Sequence, residues 1–188
     1  MKRLTRVARI DGVDVYVHWA TFLIGGIVLI GSLPKRLEIT LVAVGAYLGI
    51  LLIHEWGHVV AGRRRGSVAW SIELYPILGL TRLSVPRSYF DECVIAWGGV
   101  LAQLAVALPL IAWVAIFGFT PSEQINAVLA LLGSFSVFIA VMNLLPAPRL
   151  DGAKAWPLIP MLLRRAISAY SRRRREPAVR DRKKKWVH

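Results

Sequence analysis

In the stretch LLIHEWGHVV, residues 51–60, His54 and His58 stand four apart with Glu55 beside the first. On a helix that spacing puts both imidazoles on one face, one turn apart. Two neutral imidazoles so placed can hold one zinc ion, and a neighbouring carboxylate can act as general base on a water at the metal, the chemistry of the H-E-x-x-H pattern. The setting is unusual. The run ITLVAVGAYLGILLI leads into the motif, and a carboxylate in a membrane-grade helix costs about 2.5–3.5 kcal/mol on insertion scales. No basic residue lies within a turn of Glu55 on that helix. The plain alternative is a helix end at the membrane interface carrying ordinary polar residues.

A catalytic zinc takes three protein ligands and keeps one position open. His18, next to Trp19, is one candidate for the third, but an amphipathic anchor at the membrane interface explains it as well. His188 is terminal. Asp151, in MNLLPAPRLDG (142–152), is another candidate. Pro146 and Pro148 prevent a continuous helix before it, and irregular backbone at membrane depth is tolerated where it is buried in protein or lines a cavity. An Asp-Gly turn accounts for the same residues, and spacing alone leaves both readings open.

The elements that must position these residues read as membrane spans. The 188 residues are 56% hydrophobic and 19% charged, with mean hydropathy +0.54. Four apolar runs approach or exceed the roughly 18–20 residues that cross a bilayer: about 17–33, 39–62, 92–118 and 124–145. The expected fold is therefore an α-helical multi-pass membrane protein with about four transmembrane helices. The single cysteine, Cys93, excludes an internal disulfide. The first run has no small-residue cleavage site, so it does not read as a removable signal peptide.

Net charge is +13, which in a soluble chain would suggest nucleic acid. Here the basic residues lie between and beyond the apolar runs, where they read as topology signals, and no nucleic-acid-binding motif accompanies them. MKRLTRVAR, the segment with Arg63, Arg64, Arg65, Arg82 and Arg87, and the end of the chain all carry the excess. Both termini are expected to face the cytoplasm of a cell-membrane protein. That orientation puts His54 roughly 12 Å from the cytoplasmic end of its span and Asp151 on the same side.

Segment 63–91 differs in texture. β-Branched residues, Gly79 and a rough alternation predict a short β element at 68–84, at the membrane edge. Residues 1–163 form the expected transmembrane core. Residues 164–188, with eleven Lys and Arg against two acids, read as a basic, poorly ordered cytoplasmic tail or as a surface for anionic lipid.

HEWGH in the second span, AWGGVLAQL in the third and NLLPAPRLDG after the fourth together resemble the site-2 proteases, intramembrane zinc metalloproteases, over roughly residues 10–160. The resemblance implies one zinc ion per chain held by His54, His58 and Asp151, with Glu55 as catalytic base. It implies that Asn143 orients substrate or stabilises the oxyanion, and that the 68–84 strands hold substrate extended. The substrate would be a transmembrane protein cleaved within or near its span, in regulated intramembrane proteolysis. The chain departs from the family pattern at Gly98-Gly99 and Gln103, where Gly-Pro and Asn are frequent, and at Ala153-Lys154, where Gly-Arg is usual. It reads as a compact member without a PDZ-like insertion. Two other classes stand beside this one. A zinc-binding pseudoprotease could serve as membrane adaptor or chaperone, although a scaffold needs no base beside its ligands. A metal transporter would continue its polar residues across the bilayer, and here they cluster at one end.

Overall fold

A computed structural model describes residues 4–32 and 37–184, with side chains at 4–30 and 37–171. Its architecture is a helical bundle with a four-stranded sheet at one end. The strands are β1 (Leu4–Ile10), β2 (Val13–His18), β3 (Ala69–Leu74) and β4 (Gly79–Leu83), in the order β1-β2-β3-β4. β1 and β2 are antiparallel, β2 and β3 parallel, β3 and β4 antiparallel. Asp11 and Gly12, at φ 46° and 79°, turn the first hairpin. A two-residue turn with positive φ at both positions matches the twist of the strands it joins, and Asp-Gly is among the pairs that adopt it.

The sequence predicts strands only at 68–84, where β3 and β4 form. The N-terminal hairpin is a correction: a segment read as a basic flank is half of the sheet. Val13, Val15 and Val17 alternate with half-exposed residues and are themselves only 0%, 2% and 5% exposed. With Ile72 and Leu74 they pack on Leu51 and Val59, so one sheet face is sealed against the second span.

The first expected span is also corrected. β2 takes Val17 and His18, and helix α1 is Trp19–Ser32, 14 residues, about 21 Å at 1.5 Å per residue. That falls short of the ~30 Å hydrocarbon core. Among the described residues three helices are long and apolar enough to cross a membrane: Leu37–Arg64, Tyr89–Phe117 and Glu123–Asn143. The first of these is α2 and the second α3. The third is composite: α4 (Glu123–Val128), a π-helical stretch Leu129–Phe135, and α5 (Ser136–Asn143).

α2 and α3 cross almost backbone to backbone. A Cβ on Gly57 would overlap the Gly98 carbonyl, and one on Gly98 would lie 2.6 Å from the Gly57 carbonyl oxygen. Small residues at such a crossing let membrane helices approach closely, and this one brings α3 alongside the two histidines.

After α5 the chain is irregular through Asp151, as the two prolines require, then forms α6 (Gly152–Ala155) and α7 (Leu158–Lys184). The region read as a poorly ordered tail is thus helical from Arg164 to Lys184, and its last four residues lie outside the described ones.

Candidate metal centre

α2 carries His54, Glu55 and His58, exposed by only 6%, 4% and 7%. The Nε2 atoms of the two histidines lie 3.1 Å apart. Asp151 Oδ2 lies 2.8 Å from His54 Nε2 and 3.2 Å from His58 Nε2. The structure therefore brings together three of the residues picked out in the sequence, one from 97 positions away.

The outer nitrogens settle the tautomers. His58 Nδ1 is 2.8 Å from the Ile95 carbonyl oxygen, which can only accept. His54 Nδ1 is 2.8 Å from Gln103 Oε1, also an acceptor. Each neutral ring therefore donates from Nδ1 and turns a bare Nε2 inward. Two imidazole lone pairs and a carboxylate oxygen then converge within about one atomic diameter. That triangle is held together by a cation, either a proton on one ring or a metal ion between them. Tetrahedral zinc with ligands at about 2.0–2.1 Å separates them by about 3.3 Å, close to the spacing here. The donor set fits the ion. So does the space: a Cβ on Gly99 would stand 2.7 Å from His54 Nε2 and from His58 Nε2, so only glycine leaves the imidazole edges clear.

Asp151 is fixed from behind. A Cβ on Gly152 would overlap the Leu144 and Leu145 carbonyls, so this backbone is pressed under the end of α5. Trp156 Nε1 donates to the Leu144 carbonyl at 2.6 Å, and Trp97 Nε1 donates to the Ala155 carbonyl at 2.8 Å. Lys154 Nζ pairs with Glu92 Oε1 at 2.7 Å, tying the same segment to α3.

Glu55 faces β4. The Thr81 hydroxyl donates to its Oε2 at 2.6 Å. A cavity of about 740 Å³ opens here, lined by Glu55, His58, Gly79, Thr81, Arg149 and Asp151 among others. It is bounded by α2, β4, the first turns of α3 and the 149–154 segment.

Two expected residues stand apart. Asn143 ends α5, half-buried, and is not among the residues lining this cavity. His18 ends β2 with its ring 5.1 Å from that of Tyr75 and 5.7 Å from that of Trp19, and its Nδ1 accepts from the Ala20 N–H. It is an anchor between aromatic rings and joins no ligand set. Gln103, Gly99, Thr81 and Gly79 were not picked out as working parts of the site. Gln103 and Gly99 showed in the sequence only as departures from a pattern.

No protein-family model matches the chain, and no curated protein matches it. Among solved structures the chain is similar to the site-2 protease from Methanocaldococcus jannaschii, with a TM-score of 0.67 and 23% sequence identity over 85% of this chain and 71% of that one. The fold is site-2-protease-like. With three helices of spanning length and composition, this fold gives the chain a membrane location. The His54–His58–Asp151 group, whose donor atoms all lie within 4.8 Å of one another, can hold a metal ion, and it occupies the sheet end of the bundle in this site-2-protease-like fold.

Proposed function

We propose that the chain is an intramembrane zinc metalloprotease that hydrolyses peptide bonds within or near the spans of membrane-anchored proteins. The observation that carries this reading is the convergence of two imidazole nitrogens and one carboxylate beside a buried glutamate, with His58, Asp151 and Glu55 lining one cavity. His54, His58 and Asp151 hold one zinc ion. Zinc in such a site polarises a carbonyl and acidifies water. Glu55 takes the proton from the attacking water and hands it to the leaving amine. Among the described residues β4 pairs with β3 on one side only, so its other edge can hold a substrate segment as an added strand. A transmembrane helix hides its carbonyls in its own hydrogen bonds, and extension along β4 exposes the one to be cut.

Topology belongs to the same proposal. β2 and β3 are neighbours in one sheet, so the chain between them leaves that side of the membrane and returns to it. α2 makes the return, which supports α1 as the outward crossing, despite the short helix. With two further spans both termini lie on the sheet side, the cytoplasm by the excess of Lys and Arg. The basic end of α7 then meets anionic lipid.

The test uses wild type and Glu55→Gln purified in detergent, each with a single-span substrate and with zinc measured on the same samples. Cleavage by wild type alone, with about one zinc in both, is the expected result. Zinc in both without cleavage by either would count against the protease and for an adaptor. Zinc in neither would remove the centre itself.

A further inference from the structure

Glu55 does not stand free in its cavity. The Thr81 Oγ1 to Glu55 Oε2 distance of 2.6 Å is that of a hydroxyl donating to an ionised carboxylate, among the stronger hydrogen bonds a protein makes. Gly79 lies so close to Glu55 Cγ and Oε1 that a Cβ there would overlap both. Gly79 and Thr81 are two apart on β4, so they present to the same face, and that face is turned to α2. Leu80, between them, is 42% exposed. One strand thus engages one oxygen of the carboxylate through Thr81, and the other packs against Gly79.

We propose that Thr81 is the positioning residue for Glu55: its hydroxyl engages Oε2 and fixes where the carboxylate stands as it takes and returns the proton. The proposal rests on the protease reading above. The proton passes from the attacking water to the Glu55 carboxylate and from there to the leaving amine, so Glu55 ends each turnover ionised. Thr81 stands on the strand whose free edge would receive the substrate. Placement of the base and placement of the peptide it serves then depend on the same five residues, Gly79–Leu83. A substrate that seats poorly on β4 would meet a base that is also poorly aimed.

A purely structural role is the competing account, because Thr81 Oγ1 also lies 3.0 Å from the Glu55 backbone carbonyl and could simply brace β4 on α2. Two substitutions separate them. Thr81→Val keeps the shape and removes the donor, and Thr81→Ser keeps the donor. The proposal expects kcat to fall about tenfold or more in Thr81→Val, the size of a lost hydrogen bond to a charged group, with KM and zinc content unchanged. Thr81→Ser should return kcat to within about threefold of wild type. In parallel, the Glu55 carboxylate stretch, identified in infrared spectra as the band lost in Glu55→Gln, should shift in Thr81→Val and hold its place in Thr81→Ser. Wild-type kcat in Thr81→Val, or an unmoved band, overturns the proposal and leaves the protease reading intact. A wild type that holds zinc and cuts nothing overturns the protease reading, and the proposal with it.

Discussion

Gln103 Oε1 accepts the Nδ1 hydrogen of His54 at 2.8 Å across the α2–α3 crossing. That bond decides which imidazole nitrogen is free for a metal, and groups that orient metal-binding histidines in this way are worth about 10–100-fold in metal affinity. Gln103→Leu should therefore weaken zinc binding by about that factor, read by competition with a coloured chelator. The fold should survive, because the Gln103 amide nitrogen is buried without a partner and leucine removes that unsatisfied donor. Unchanged zinc affinity would show that His54 needs no such support.

Gly99→Ala places a methyl 2.7 Å from Nε2 of both histidines, so the purified variant should lose most of its zinc. Gly45→Ala, on the same membrane bundle but with nothing within 4 Å of the added carbon, should keep it. Equal zinc in the two variants would mean that the imidazole edges have room to spare.

Gly152→Ala tests how Asp151 is held. The added carbon collides with the carbonyls that end α5, and the 151–152 backbone must move. Zinc retention should drop toward that of Asp151→Ala while helix content stays near wild type. Full retention would show that the carboxylate reaches the site from a displaced backbone, and that the close seat under Leu144 is incidental.

Removal of zinc with a strong chelator should lower thermal stability reversibly. At free zinc a hundredfold above the dissociation constant, binding contributes about 2.7 kcal/mol to the native state. The shift should vanish in the double variant His54→Ala, His58→Ala. An equal shift in that variant would place the metal somewhere else.

Truncation after Ser171 should leave zinc content and cleavage in detergent unchanged, yet reduce activity in bilayers containing anionic lipid relative to neutral ones. The truncation removes nine Lys and Arg and two acids, and each basic residue near an anionic surface is worth about 1 kcal/mol. An unchanged anionic-to-neutral ratio would remove lipid as the partner of this region.

The site was legible where the physics is local. A four-residue step on a helix fixes His54 against His58 whatever surrounds them, and an apolar run declares its own span. Asp151 stood out because prolines and Asp-Gly mark irregular backbone. Contacts between distant segments were hidden. Gln103 is 49 residues from His54, and Thr81 is 26 from Glu55; neither distance leaves a periodic trace. The β1–β2 hairpin had its signals in plain view, with Val13, Val15 and Val17 alternating after Asp11-Gly12. They were masked by the apolar run that starts at the same place, because hydrophobicity from Val17 onward reads equally as strand end or helix start. The first span was overcounted for that reason: two residues assigned to it belong to a strand.

The parallel pairing of β2 with β3 sets an order on how this chain can be made. The hairpin of residues 4–18 leaves the ribosome before β3, so Val17 waits for Leu74, which follows only after two helices have been synthesised. Until then Val13, Val15 and Val17 lack the partner strand and much of the cluster that covers them. Were the two strands to end on opposite sides of a membrane, the sheet could not close. Sheet closure thus requires that residues 13–18 and 69–74 arrive on one side, and a chain in which they had not would carry an unpaired strand.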